Sequence, residues 1–380
     1  VYELFTLDEY YYDVFDRKDC KINFDVYDSK WQELIDLLLK RDYSIRPDID
    51  KVIEFIKSIK TEDKNSISLT VRVDKLDISK KIYFLSDNQF NESLNEINNS
   101  KTELYINGKN YKFNKFLIAE KEGFYSIIIE FPSQIKDCSY MFEGCENIVS
   151  IDLSSYDFTN TTDMKFMFNE CSNLESIDFP SFDSINASNM FDMFGGCKKL
   201  KSIDLSSFNT SNATNMAAMF NHCERLETLD LTSFITENVT NMEYMFANCY
   251  NLKNLNLSSF NTSNVISFDG MFNRCYNLNN LNLSSFITDK VINMSNMFNG
   301  CKTLESLDLS LFNVKNVIDM NFLFYHCRNL KFIDLTSFDS KNFSHIDLLF
   351  HYCDNLKEIK VNENAYKKFK KDKRFITVKL

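Results

Sequence analysis

Cysteine is the residue whose spacing most invites a chemical reading. Of eleven cysteines, nine fall at Cys145, Cys171, Cys197, Cys223, Cys249, Cys275, Cys301, Cys327 and Cys353, each 26 residues after the last, with Cys20 and Cys138 outside the series. Thiolates could hold zinc, but zinc sites use close pairs such as CxxC, and the sequence has none. Thiols on neighbouring turns of a repeat could form disulfides, but that bond demands a narrow Cα separation and converging side chains. One cysteine per repeat on an apolar stretch reads instead as a small buried hydrophobe. Buried thiols survive in oxidising and reducing compartments alike, so they do not assign a location.

Other candidate groups are spread along the chain. His222 and His326 share one repeat position, and His345 and His351 lie in the last repeat. No acid recurs beside them at a spacing suited to a catalytic pair, so they read as surface or boundary histidines. A carboxylate ladder runs Asp152, Asp178, Asp204, Asp230, then Asn256 and Asn282, then Asp308 and Asp334. Like charges about 5 Å apart repel by about 1 kcal/mol in water, so the ladder needs compensation. Hydrogen bonds from Ser154, Ser206, Thr232 and Ser258 would supply it. The sharper alternatives are a calcium ion or a basic peptide, but calcium needs six or more oxygens around one point and a line does not provide them. With Ser202 and Ser206, the ladder marks the expected ligand face. GxGxxG, P-loop and HExxH patterns are absent, and the N-terminal carboxylates Asp8, Glu9, Asp13 and Asp16 have no evident partners. The expectation is a protein that is not an enzyme, with no cofactor and no metal.

The ladders define the elements that must carry them. Aromatic residues recur at Phe142, Phe168, Phe194, Phe220, Phe246, Phe272, Phe298, Phe324 and Phe350, and again at Tyr156, Phe182, Phe208, Phe234, Phe260, Phe286, Phe312 and Phe338. The consensus is LxxLDLSSFxTxxVxNMxxMFxxC. In one repeat Ile203 and Leu205 alternate with Ser202 and Asp204, the period of a half-buried strand. Met216, Met219, Phe220 and Cys223 follow at helical offsets, which predicts a helical return segment capped by Asn212 or Thr214. A single repeat buries too little to stand alone, so neighbours must stack, with strands pairing in parallel. Glu175, Lys201, Glu227 and Lys253 alternate in sign at one position, as cross-strand partners would. Asn279, Glu305, Lys331 and Lys357 continue less regularly, so the pairing is expected to be best in the first half.

These residues, above all IDLSSFNTSNATNMAAMFNHC at 203–223 with Leu200 before it, resemble the BspA-like leucine-rich-repeat surface proteins. The likeness covers the repeat region. It implies a solenoid commonly displayed at the cell surface, with adhesion or host-protein binding suggested for several members. Phe208 and its equivalents stand where ordinary leucine-rich repeats place an Asn, and the chain departs from its own consensus at Pro180, Asn256, Asn282, Phe268, Leu323 and Leu349.

The expected architecture is an α/β repeat solenoid, a right-handed leucine-rich-repeat-like superhelix, preceded by a small α+β region. Residues 1–65 should be helical, with helices at 29–41 and 48–60. Residues 66–136 should form a small β-rich cap with a hairpin at Asn107–Gly108. Nine solenoid turns would occupy 137–360, and a basic C-terminal cap 361–380. The formal charge of −11 disfavours nucleic acid as partner. No apolar run nears the roughly 20 residues of a membrane span. Asn abundance reads as a matter of coding composition. The start at Val1, with no initiator Met, fits a leader removed upstream. The functional expectation is a monomeric surface or secreted protein with a protein ligand, the alternative being a cytoplasmic scaffold or effector whose N-terminal region docks a second partner.

Overall fold

A computed structural model describes residues 65–380 except 90–93, 95–96, 98–100, 180–187, 207, 339–347, 364–365, 367–375 and 380, with 376–379 described by backbone. Residues 64–380 make one compact unit. The helices expected at 29–41 and 48–60, and Asp8, Glu9, Asp13, Asp16, Cys20, Phe182 and His345, lie outside the described residues.

The chain enters on six short strands: β1 (Asn65–Val73), β2 (Lys81–Tyr83), β3 (Glu103–Ile106), β4 (Lys109–Tyr111), β5 (Phe116–Ile118) and β6 (Gly123–Phe131). Ile67, Leu69, Val71 and Val73 alternate along β1 and are buried, so one face is fixed inward. β3 and β4 meet at Asn107 and Gly108, whose φ values of 50° and 74° suit a tight two-residue hairpin turn. β1 pairs with β6 on one side. On its other side it pairs, also antiparallel, with β7 (Ile148–Asp152), the first strand of the repeats. The N-terminal sheet thereby covers an edge that would otherwise template association.

From β7 onward the chain is a β-solenoid. β7 pairs in parallel with β8 (Ser176–Asp178). β9 (Thr228–Asp230), β10 (Asn254–Asn256) and β11 (Asn280–Leu281) form a second parallel group. A third joins β12 (Ser306–Asp308), β13 (Phe332–Leu335), β14 (Glu358–Val361) and β15 (Ile376–Lys379). Asn254 faces Thr228 and Asn256 faces Asp230, an offset of one repeat. The strand ribbon is interrupted at 200–205. There Leu205 is buried and Asp204 exposed as the alternation requires, but the bond from the Glu227 N–H to the Lys201 carbonyl replaces a paired strand. A second ladder of seven successive parallel bridges runs from Asp137 to Asp319 along another edge.

The return segments are not helices. In 216–223 the amides of Met216, Ala218, Phe220 and His222 donate to the carbonyls of Asn241, Glu243, Met245 and Ala247 in the next coil. The alternate amides of Met219, Asn221 and Cys223 donate three residues back. This turn chain carries positive φ at Ala218 and His222, and the same two positions have positive φ in each of the nine sequence repeats. Spacing explains why the helix loses. Parallel strands sit about 4.8 Å apart, and the Phe142-to-Phe350 rings on the return side stack at 5.4–5.8 Å. A helix about 10 Å across cannot fit one per coil at that pitch. Turns can, because half their amides point along the stacking axis. The period-four turn still directs Met216, Met219, Phe220 and Cys223 inward, which is why the apolar spacing imitates a helix. The expected cap residues have other tasks: Thr214 Oγ1 donates to the Ser188 carbonyl, and Asn215 Oδ1 accepts from the Ala217 amide.

Buried polar groups close the remaining bonds. Thr210, Thr236, Thr262 and Thr288 each accept an amide from the next coil and donate to a carbonyl of the same residue there, as in Asn261 N–H to Thr236 Oγ1 at 2.8 Å and Thr236 Oγ1 to Asn261 O at 3.0 Å. Where backbones do not pair directly, a threonine bridges them.

Candidate ligand-binding face

The cysteine ladder belongs to the core. The nine repeat cysteines and Cys138 are free, and all but the half-buried Cys353 are fully inside. From Cys171 to Cys353 each thiol donates to the carbonyl of the Phe 29 residues earlier, at 3.0–3.3 Å. The sequence reading as a small hydrophobe captured the burial but not this donor role. Burial pushes the Cys249 and Cys301 thiols up to about 12, so thiolate is scarce at neutral pH.

The carboxylate ladder is exposed. The Oδ1 atoms of Asp152, Asp204, Asp230, Asn256, Asn282, Asp308 and Asp334 accept the amide two residues on, at 2.8–3.1 Å. This side-chain turn ends each strand. Asp and Asn satisfy it equally, which explains how the two exchange along one ladder. Asp178 is exposed beside Asp152 in the strand pair. The compensation for repulsion is therefore mainly backbone amide, joined by hydroxyls. Hydrogen bonds from Ser206, Thr232 and Ser310 hold the carboxyls of Asp204, Asp230 and Asp308 below their usual range. The same turn recurs at Asp137, Asp163, Asn189, Asn215, Asn241, Asn293 and Asp319. Asn abundance thus has a structural cause that coding composition does not capture.

A groove of about 760 Å³ lies over the strand face, lined by Ser202, Asp204, Thr228, Asp230, Asn254, Asn256, Asn280 and Asn282 among others. It brings together five of the ladder positions read from sequence: Ser202, Asp204, Asp230, Asn256 and Asn282. Asp152, Asp178, Ser206, Asp308 and Asp334 are outside its lining. In Asp230 both the Thr232 amide and its hydroxyl bond Oδ1, which leaves Oδ2 as an outward acceptor. In Asn256 and Asn282 the same turn occupies Oδ1 and leaves the Nδ2 amine as an outward donor. Thr228, Asn254 and Asn280, which sequence reading did not select, complete the floor. Their repeat position, two before the ladder, was the available signal.

The charged ladder is also partly formed. Lys253 reaches Glu227 at 3.6 Å, and Lys331 reaches Glu305 at 2.6 Å. The shortest bridge lies in the second half, against the expected first-half preference, because Glu305 and Lys331 flank the paired strands β12 and β13 while Lys201 sits at the interruption. Among the described residues no three of His, Cys, Asp and Glu converge as metal ligands, and no helix is long and apolar enough to cross a membrane.

The fold and its exposed face define a β-solenoid repeat protein of the kind that serves protein interaction. The chain belongs to the family described as Mycoplasma protein of unknown function, DUF285, whose model matches residues 136–255, 178–280 and 250–364. No curated protein matches it. A leucine-rich repeat protein from Bacteroides ovatus is similar at 17% identity over 63% of this chain and 86% of that one, with a TM-score of 0.17. At that superposition the likeness carries no argument.

Proposed function

We propose that this is a non-enzymatic binding protein, displayed on a cell surface or secreted, whose strand-face groove holds an extended segment of a protein ligand in adhesion or host-protein binding. The carrying observation is the groove, floored by side chains whose turn bonds leave outward acceptors at Asp230 and outward donors at Asn256 and Asn282. Fixed polar groups of this kind bind at little ordering cost. The acidic ladder favours a basic or neutral partner. Surface display and adhesion rest on the resemblance of the repeat to BspA-like proteins.

The test uses Asp→Asn at Asp204, Asp230, Asp308 and Asp334 together, and Asn256→Asp with Asn282→Asp. Both sets keep the strand-end turn and change the outward atom or charge. Partners captured by the chain from extracellular matrix and from cytosol are purified, and their affinity for each variant is measured. A matrix partner weakened at least tenfold by either set supports the reading. Unchanged affinity in both sets sinks this face, and a cytosolic partner removes the surface assignment.

A further inference from the structure

A second concavity, of about 380 Å³, lies away from the strand face at the corner following the aromatic ladder in the later coils. Its lining brings Arg274, Lys302 and Arg328 together from three consecutive repeats, with His326 among them and no carboxylate in the lining. In a chain of net charge −11 this is a local reversal. The same repeat positions are acidic earlier: Glu170 is the equivalent of Arg274, and Glu146 and Glu224 are equivalents of Lys302 and Arg328.

The cations are held without being neutralised at close range. Lys302 Nζ rests 3.5 Å from the centre of the Tyr276 ring, which aims the ammonium without cancelling its charge. The carboxylate near Arg328 is Asp354, 3.9 Å from Nε and solvent-exposed. Burial first, then the fields of Arg328 and Lys302, lower the proton affinity of His326. Positive potential therefore converges on this corner.

The hollow has a structural cause. Gly300 occupies the positive-φ position between Arg274 and His326 in neighbouring coils. A Cβ there would lie 3.3 Å from Arg274 Cα and 3.4 Å from both Arg274 Cγ and Tyr276 Cε1. Its missing side chain opens the floor. Asn248 holds the same repeat position at φ 61°, so a filled version of this corner exists within the same solenoid.

We propose that this cleft is a separate binding site for a sulfate or phosphate ester carried on a sugar-sized group. Guanidinium forks and an ammonium match the tetrahedral oxyanion, and a volume near the lower end of small-ligand sites suits one sugar ring. The test is calorimetric titration of the full chain with glucose 6-sulfate, glucose 6-phosphate and glucose. Saturable binding of either ester but not of glucose is expected, weakening several-fold as salt rises from about 50 to about 200 mM. The sulfate and phosphate arms identify the source of the anion. Lys302→Gln with Arg328→Gln, both at the surface, should weaken binding at least tenfold, and Gly300→Asn should do the same by filling the floor. Equal binding of glucose, no saturable binding of either ester at about 10 mM, or wild-type affinity in the double Gln variant would overturn the site. Binding of the strand-face partner is expected to be unchanged in these variants, which separates the two sites.

Discussion

The return wall and the strand face repeat with the same period and the same regularity, yet one is structural and the other is available. On the wall, Phe246 stacks between Phe220 and Phe272, and Cys249 spends its proton on the Phe220 carbonyl. On the strand face, Asp230 uses one oxygen for its own turn and keeps the other outside. Periodicity alone does not separate the two. The difference lies in which atom remains after the coil has met its own bonding needs.

Breaking the wall should have the largest effect. Phe246→Ala interrupts a continuous ring stack at a fully buried position and is expected to cost about 3–5 kcal/mol, read by denaturant unfolding. Loss of less than about 1 kcal/mol would mean the stack is not a core element.

Asp192 lies on the wall side but keeps a carboxyl there, and burial together with the neighbouring Glu170 pushes it up to about 7. A carboxyl raised above its unfolded value of 3.8 holds its proton more tightly when folded. Its stabilising contribution is therefore complete below about pH 4 and lost as pH rises towards 7. Allowing for partial exposure, about 2–3 kcal/mol should disappear across that window. Asp192→Asn should remove the slope and raise the unfolding temperature at pH 8, with little change at pH 4. Parallel wild-type and variant profiles would contradict this.

Thr236→Val leaves a buried amide and a buried carbonyl of Asn261 without their bridge, at an expected cost of about 1–3 kcal/mol. Thermal unfolding of the single variant measures it. The strand face gives the smallest effect: Asp230→Asn keeps the turn bond, so the unfolding midpoint should not move. A clear shift there would show that the outward oxygen is structural and would erase the contrast between the two regions.

Part of this was legible beforehand. Ladder positions, burial of the thiols, the Asn107–Gly108 hairpin and the exposed carboxylates follow from side-chain type at constant spacing. The return helix was misread because Met216, Met219, Phe220 and Cys223 point inward equally from a helix and from a chain of four-residue turns. The basic corner was missed because Arg274, Lys302 and Arg328 sit at two different repeat positions, and only their placement in space joins them. Gly300 gave no warning either, since one glycine in a series of residues that adopt positive φ looks unexceptional until its neighbours are placed.

The sequence by itself determined the period, the inward and outward residues and the residue types that could end a strand. Those are local matters of side-chain chemistry recurring at a fixed step. The tertiary structure decided the backbone of the return wall, because the spacing between coils admits turns and excludes helices. It also decided which oxygen or amine is left over at the groove and which charges meet at one corner, because both depend on hydrogen bonds and neighbours contributed by other coils.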